Sequence, residues 1–115
     1  MPLFKASPPG DILEIRGVAP CGSPGEVVEV IALPERANAT ADFKPDRLIA
    51  EVELGARRKF RIRLEPALLP PVRRGFAQIA CRYVLLRLKE DRSCHCWIDL
   101  KERASGVVRV ALSRP

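Results

Sequence analysis

The chain has few of the residues and motifs that mark common catalytic and membrane classes. It holds one His, one Trp and one Tyr among 115 residues, and aromatic residues make up 5 %. It contains no P-loop, no G-x-G-x-x-G and no H-E-x-x-H pattern, and its single histidine has no triad partners that the sequence identifies. No apolar run approaches the roughly 20 residues of a membrane helix. Residues 1–10 lack the apolar stretch of a secretory signal. We therefore expect a cytoplasmic, non-enzymatic chain without cofactor, metal site or membrane contact.

What the chain does contain is typical of one small globular domain. Hydrophobic residues make up 47 % and charged residues 30 %, and a chain of this length buries roughly two-thirds of its unfolded surface on folding. We predict an N-terminal tail over 1–10 and one domain over 11–115.

Charge is unevenly distributed along the chain. Residues 1–56 hold 5 basic and 9 acidic residues, whereas residues 57–92 hold 11 basic and 3 acidic ones, a balance of +8. A basic segment of this kind attracts anionic partners, although it is equally expected where outward-facing strand positions are arginine.

The four cysteines form no C-x-x-C pair. Without an export signal we expect reduced thiols at Cys21, Cys81, Cys94 and Cys96. The run Cys94-His95-Cys96, with Cys81 as a further ligand, raises the alternative of a zinc site. On a strand, however, His95 points away from its two neighbours, so we interpret these cysteines as small buried hydrophobes and predict no metal.

Alternation of apolar and polar residues dominates the chain and predicts an all-β fold. The pattern and its turn signals favour about seven to eight short strands and an antiparallel β-sandwich. The predicted strands are 11–16, 26–33, 48–54, 58–64, 76–80, 83–89, 94–100 and 106–112.

The segment 48–64 admits two interpretations. A helix over 45–54 would have proline at its start and Gly55 after its end. A hairpin of strands 48–54 and 58–64 would pair Val52 with Phe60 on an apolar face and Glu51 with Arg61 on a charged face. Because the helix gives no account of the alternation in 59–64, we predict the hairpin.

From 25 to 100 the order of features resembles the CS domain, the sandwich of CHORD-containing proteins and SGT-type cochaperones. The similar segments are Glu26–Ala32, Asp42-Phe43 followed by Leu48–Val52, Arg61–Leu64, Leu68-Leu69-Pro70, Phe76–Ile79, Arg82–Leu85 and the closing Trp97-Ile98-Asp99-Leu100. The segment 106–112 lies beyond this resemblance and reads as an additional strand, which would cover an edge or extend a sheet.

The resemblance implies a compact antiparallel sandwich that binds the heat-shock-protein-90 chaperone through one sheet. Arg82 stands where the family has a lysine, and Ile31 where it has an aromatic residue. The chain departs from the family at Val84, which stands in place of an acidic residue. The predicted partner contacts are Arg82, Ile31, Lys59, Arg61 and Trp97.

Three alternatives remain open at this point. The alternative to partner contact for Trp97 is a core or half-buried position on its strand, and for Arg82 it is a solvated strand position. The basic segment would instead bind a polyanion, such as nucleic acid, although few aromatic residues lie within it to stack on bases. The predicted polyanion contacts are Arg57, Arg58, Arg61, Arg63, Arg73 and Arg74. A structural domain inside a larger assembly is a further possibility.

Overall fold

Two β-sheets enclose a common apolar layer in the computed structural model. The structure describes residues 11–69, 71–74, 77–79 and 81–115, with the backbone alone for 72–74 and 77–79. The predicted tail 1–10 lies outside these residues. The predicted fold class is confirmed, because strands are the main regular elements of the described residues and the two main sheets are consistent with a β-sandwich.

Nine strands and two single-turn 3-10 helices occur in the described residues. The strands are β1 (Leu13–Val18), β2 (Val27–Leu33), β3 (Leu48–Glu53), β4 (Lys59–Leu64), β5 (Val72–Arg74), β6 (Ala77–Ile79), β7 (Tyr83–Leu88), β8 (His95–Asp99) and β9 (Gly106–Ala111). The helical turns are Pro45–Arg47 and Pro66–Leu68.

Seven of the strands form the two sheets. One sheet has the order β4-β1-β9 and the other β3-β2-β7-β8, while β5 and β6 pair as a separate ribbon. Every pairing is antiparallel except that of β9, which runs parallel to β1. The predicted strand 106–112 is thus confirmed and extends the three-stranded sheet.

The core forms because each inner sheet face is apolar at alternate positions. In β4 the burial alternates without exception, with Phe60, Ile62 and Leu64 inside and the three basic residues between them exposed. Leu13 and Ile15 of β1 are fully buried in the same way. Burial of apolar surface stabilises the folded chain by about 25 cal/mol per Å², so burial of these alternate side chains is the main favourable contribution to the fold.

The predicted hairpin pairing is wrong. Strands β3 and β4 exist at the predicted positions, but β3 pairs with β2 and β4 pairs with β1, in different sheets. Their apolar faces do meet, across the sandwich rather than within one sheet. The connection between them is a tight arch in which the amide of Arg58 donates to the carbonyl of Gly55 over 2.9 Å. Both arrangements bury Phe60, Ile62 and Leu64 and pack Ala50 and Val52 against the core, so alternation alone did not distinguish them.

The expectation that all four cysteines are reduced is also wrong. A disulfide joins Cys21 to Cys94, whose Cα atoms lie 6.1 Å apart although 73 positions separate them in the chain. The loop after β1 packs against the start of β8, which is a contact that no local pattern indicates. Cys81 and Cys96 are free.

Candidate binding surfaces

The outer face of the four-stranded sheet carries a second, smaller apolar cluster. Ile31 and Leu85 lie side by side on β2 and β7, and Trp97 of β8 continues the same row. Segment 34–47 folds over this row and packs Ala39 and Phe43 against it. The row is therefore covered at β2 and β7 and ends in a half-buried tryptophan at β8.

A buried arginine holds segment 34–47 in place. The side chain of Arg87 is 3 % exposed, and its Nε lies 3.2 Å from a carboxylate oxygen of Glu29 on β2. Its Nη1 donates to the carbonyls of Ala39 and Ala41, each over 2.7 Å. Its guanidinium also lies 5.2 Å from the ring centroid of Phe43. Burial lowers the pKa of Arg87, but arginine remains charged at neutral pH.

Next to the covered row, aromatic and charged side chains form an open corner. The rings of Tyr83 and Trp97 meet edge to face at 88° with centroids 6.2 Å apart. The guanidinium of Arg36 lies 5.5 Å from the Trp97 centroid, and that of Arg82 lies 5.0 Å from the Tyr83 centroid. These side chains surround a concave space of about 500 Å³. We call this site the Trp97 surface; its residues are Arg36, Arg82, Tyr83, Trp97, Asp99 and Glu102.

Arg82 is held in the Trp97 surface by a bidentate ion pair. Its Nε and Nη2 donate to the two carboxylate oxygens of Asp99 over 3.4 and 3.2 Å. These hydrogen bonds are the main reason that the pKa of Asp99 lies below its ordinary value, and the amide of Lys101 adds to the effect. The pair fixes the guanidinium over Tyr83 while the Arg82 side chain stays 47 % exposed.

The five predicted partner contacts do not form one site. Arg82 and Trp97 meet in the Trp97 surface. Ile31 is 2 % exposed and lies in the covered row, so it supports the surface from below and is not an exposed contact. Lys59 and Arg61 lie on β4 in the opposite sheet. Sequence reasoning missed Arg36 and Tyr83, because the fold of segment 34–47 brings Arg36 to Trp97 and the pairing of β7 with β8 brings Tyr83 there.

The outer face of the three-stranded sheet is rich in cations. Lys59, Arg61 and Arg63 project outward from β4, as their alternation with buried residues requires. Pairing places Arg16 of β1 directly beside Arg61, and Arg109 of β9 directly beside Arg16. We call this site the arginine face; its cations are Arg16, Lys59, Arg61, Arg63 and Arg109, and its one carboxylate is Glu14.

The remaining predicted polyanion contacts lie elsewhere. Arg57 is exposed in the arch before β4. Arg58 adopts a positive φ of 59°, and its Nη1 donates to the carbonyl of Pro20 over 3.1 Å. Arg73 and Arg74 lie in β5, whose side chains are outside the described part of the structure. Arg16 and Arg109 were missed, since no local signal relates β1 and β9.

The cysteines and the histidine do not form a reactive or ligating cluster in the described residues. The Cys94 sulfur is bonded to the sulfur of Cys21. Cys94 and Cys96 both contribute to the main core, whereas the next residue, Trp97, packs in the outer cluster on the other face of the sheet. Nδ1 of His95 lies 2.7 Å from the carbonyl of Ser93. Burial raises the pKa of the Cys96 thiol to about 12, which leaves it protonated and a weak nucleophile at neutral pH. Within 11–115, as far as described, no three His, Cys, Asp or Glu side chains are placed to share a metal ion.

Comparisons with known proteins add no assignment to this geometry. No protein-family model, no curated protein and no solved structure matches the chain. Among the described residues, no helix has the length and apolar character needed to cross a membrane.

Proposed function

We propose that this domain is a non-enzymatic protein-binding module that docks, as a CS-like cochaperone or adaptor, on a heat-shock-protein-90 chaperone or its client complex. The observation that carries the proposal is the Trp97 surface. Tryptophan, tyrosine and arginine are the side chains most enriched at binding hot spots, and here Trp97, Tyr83, Arg36 and Arg82 meet in one concave corner. The ordered resemblance of 25–100 to the CS domain supports the same partner class.

The Trp97 surface is preorganised for a partner. The bidentate contact with Asp99 immobilises Arg82, so little side-chain entropy remains to be lost when a partner binds. Trp97 offers an apolar anchor whose inner edge packs on the covered row. An acidic side chain of the partner would pair with Arg36 or Arg82 while an apolar one packs on the Trp97 ring.

A cytoplasmic location, which we propose together with the chaperone partner, places a condition on the fold. Cytosolic thiols are kept reduced, so the domain would have to remain folded when the Cys21–Cys94 bond is open. The chaperone proposal therefore predicts that the reduced protein still folds and still binds.

Calorimetric titration with full-length heat-shock-protein-90, at physiological ionic strength and under reducing conditions, tests the proposal. We expect a saturable one-to-one isotherm for the wild type and its loss in Arg82→Glu and in Trp97→Ala. Arg109→Glu is the matched control, because it makes the same charge change on the opposite sheet, and it should bind like the wild type. Thermal unfolding of each variant separates loss of the surface from loss of the fold.

The absence of heat for the wild type would reject the chaperone as partner. Equal loss of binding in Arg82→Glu and Arg109→Glu would reject the Trp97 surface as the docking site, because the effect would then follow net charge and not position.

A further inference from the structure

The arginine face concentrates positive charge that the rest of the fold does not neutralise. It places five cations and one carboxylate on one exposed sheet surface. Three of the cations, Arg61, Arg16 and Arg109, stand in a single row across β4, β1 and β9. Since neighbouring strands lie about 4.8 Å apart, the row spans about 10 Å between its outer Cα atoms.

A second line of charge meets this row at its β4 end. Lys59, Arg61 and Arg63 occupy alternate positions of β4, and alternate residues of a strand are about 6.8 Å apart on the same side. The cations therefore form a T, in which Arg61 lies at the junction of the two lines, rather than a cluster at one point. A concave space of about 550 Å³ lies beside this arrangement and is lined by Arg16, Lys59, Arg61 and Arg109, among others.

Among the described residues, the ion pairs of these cations involve one acidic side chain. Glu14 accepts a hydrogen bond from Nε of Arg16 over 2.6 Å and lies 3.9 Å from Nε of Arg63. Among the described residues, no carboxylate lies within ion-pair distance of Lys59, Arg61 or Arg109. Like charges placed directly opposite each other destabilise a sheet. Glu14 offsets this repulsion at Arg16 alone among the three arginines of the row, and an anion bound along the row would relieve the rest.

The chemistry of the face selects one kind of anion. Guanidinium groups bind phosphate through two parallel hydrogen bonds, and four of the five cations are arginine. No aromatic side chain projects from the outward positions of β1, β4 or β9, so the face has no platform on which single-stranded bases would stack. It also lacks the Trp, Phe or Leu side chains that insert into a lipid interface, since its apolar residues are Val18, Val107 and Ala111.

We propose that the arginine face binds the phosphate backbone of duplex nucleic acid without reading its sequence. The sheet face presents charge to the phosphates but no helix or loop that would enter a groove, and phosphate contacts position a protein without specifying bases. This surface lies on the sheet opposite the Trp97 surface, so the inference stands independently of the chaperone proposal.

The salt dependence of binding measures the number of phosphate contacts. With five cations and one carboxylate, the face carries a net charge of about +4, so log affinity should fall with log salt at a slope of about −3.6. The probe is a fluorescein-labelled mixed-sequence DNA duplex of about 20 base pairs, followed by fluorescence anisotropy between about 50 and 200 mM salt. An unlabelled duplex of unrelated sequence should compete equally.

Paired variants locate the contacts. Arg61→Gln/Arg109→Gln should reduce the slope to about −1.8 and weaken binding roughly tenfold or more at low salt. Glu14→Gln should do the reverse, because it frees Arg16 from its ion pair, and the slope should approach −4.5. This gain of affinity is a result that misfolding does not produce. Arg103→Gln, an exposed cation in the turn after β8, is the matched control and should leave the slope unchanged.

Four results would overturn the proposal. The first is a wild-type slope shallower than about −1. The second is an equal effect of neutralising Arg103 and of neutralising Arg61 and Arg109. The third is tighter binding of the single strand than of its duplex. The fourth is displacement of the duplex by phosphatidylserine vesicles at equal phosphate concentration, which would assign the face to a membrane.

Discussion

Replacing the buried Arg87 by methionine tests how the outer face of the four-stranded sheet is held together. Methionine fills much of the same volume but supplies neither the charge nor the donors. The change leaves the Glu29 carboxylate without its partner and removes the hydrogen bonds to the carbonyls of Ala39 and Ala41. Segment 34–47 should therefore loosen from the sheet, and Phe43 should lose the guanidinium stacked on its ring.

The structure sets the size of the effect. Removing one partner of a buried ion pair costs about 3–5 kcal/mol, and each lost hydrogen bond costs about 1 kcal/mol net. The Glu29 side chain is 14 % exposed, so water partly solvates it once Arg87 is gone. We therefore expect a loss at the lower end of the range, about 3 kcal/mol in the free energy of unfolding.

Urea unfolding measures this loss. With a slope of about 1.5 kcal/mol per molar urea, a loss of about 3 kcal/mol lowers the midpoint by roughly 2 M. The double variant Arg87→Met/Glu29→Met removes the unpaired carboxylate as well and should recover about 1–2 kcal/mol relative to Arg87→Met. Arg61→Met, at an exposed position of β4, is the control and should stay within about 0.5 kcal/mol of the wild type. A loss below about 1 kcal/mol for Arg87→Met, or a double variant less stable than the single one, would refute the assigned role.

Three further predictions concern the core, the disulfide and acid stability. Gly17→Ala should lower stability by about 1–3 kcal/mol, because a Cβ there would lie 2.0 Å from Cζ of Phe60; Phe60→Leu in the same chain should restore part of the loss in thermal unfolding, and no restoration would contradict the clash. Reducing the Cys21–Cys94 bond, which closes a loop of 73 residues, should cost about 4 kcal/mol, and an unchanged urea midpoint with reductant would rule this out. Hydrogen bonds from Arg82 lower the pKa of Asp99 below its ordinary value of 3.8. The contribution of Asp99 to the free energy of unfolding is therefore fully present above pH 3.8 and is lost as the pH falls through the lower pKa of the folded state. Asp99→Asn should reduce the dependence of stability on pH in this acid range.

Sequence reasoning was most accurate where the determining interactions are local. The alternation in 59–64 identified both the strand and its inward face, since burial of every second side chain depends only on extended geometry. The same reasoning placed β2, β7, β8 and β9 within one or two residues of their observed bounds. It also placed Arg82 and Trp97 among the candidate contacts, and these two side chains do lie together.

Only the tertiary structure decided which strands pair and which surfaces result. An apolar face fits against any other apolar face, so the pattern of 48–64 left open whether β3 and β4 would share a sheet or face each other across the core, and the fold separates them. For the same reason the sequence did not relate Arg16 to Arg109, or Cys21 to Cys94; the parallel register of β9 on β1 and the packing of the loop after β1 bring these pairs together. Composition and alternation thus determined an all-β sandwich with a basic middle segment. Strand pairing between distant segments depends on which apolar faces are buried together. This pairing decided that the basic side chains of β1, β4 and β9 form the arginine face and that the Trp97 surface forms on the opposite sheet.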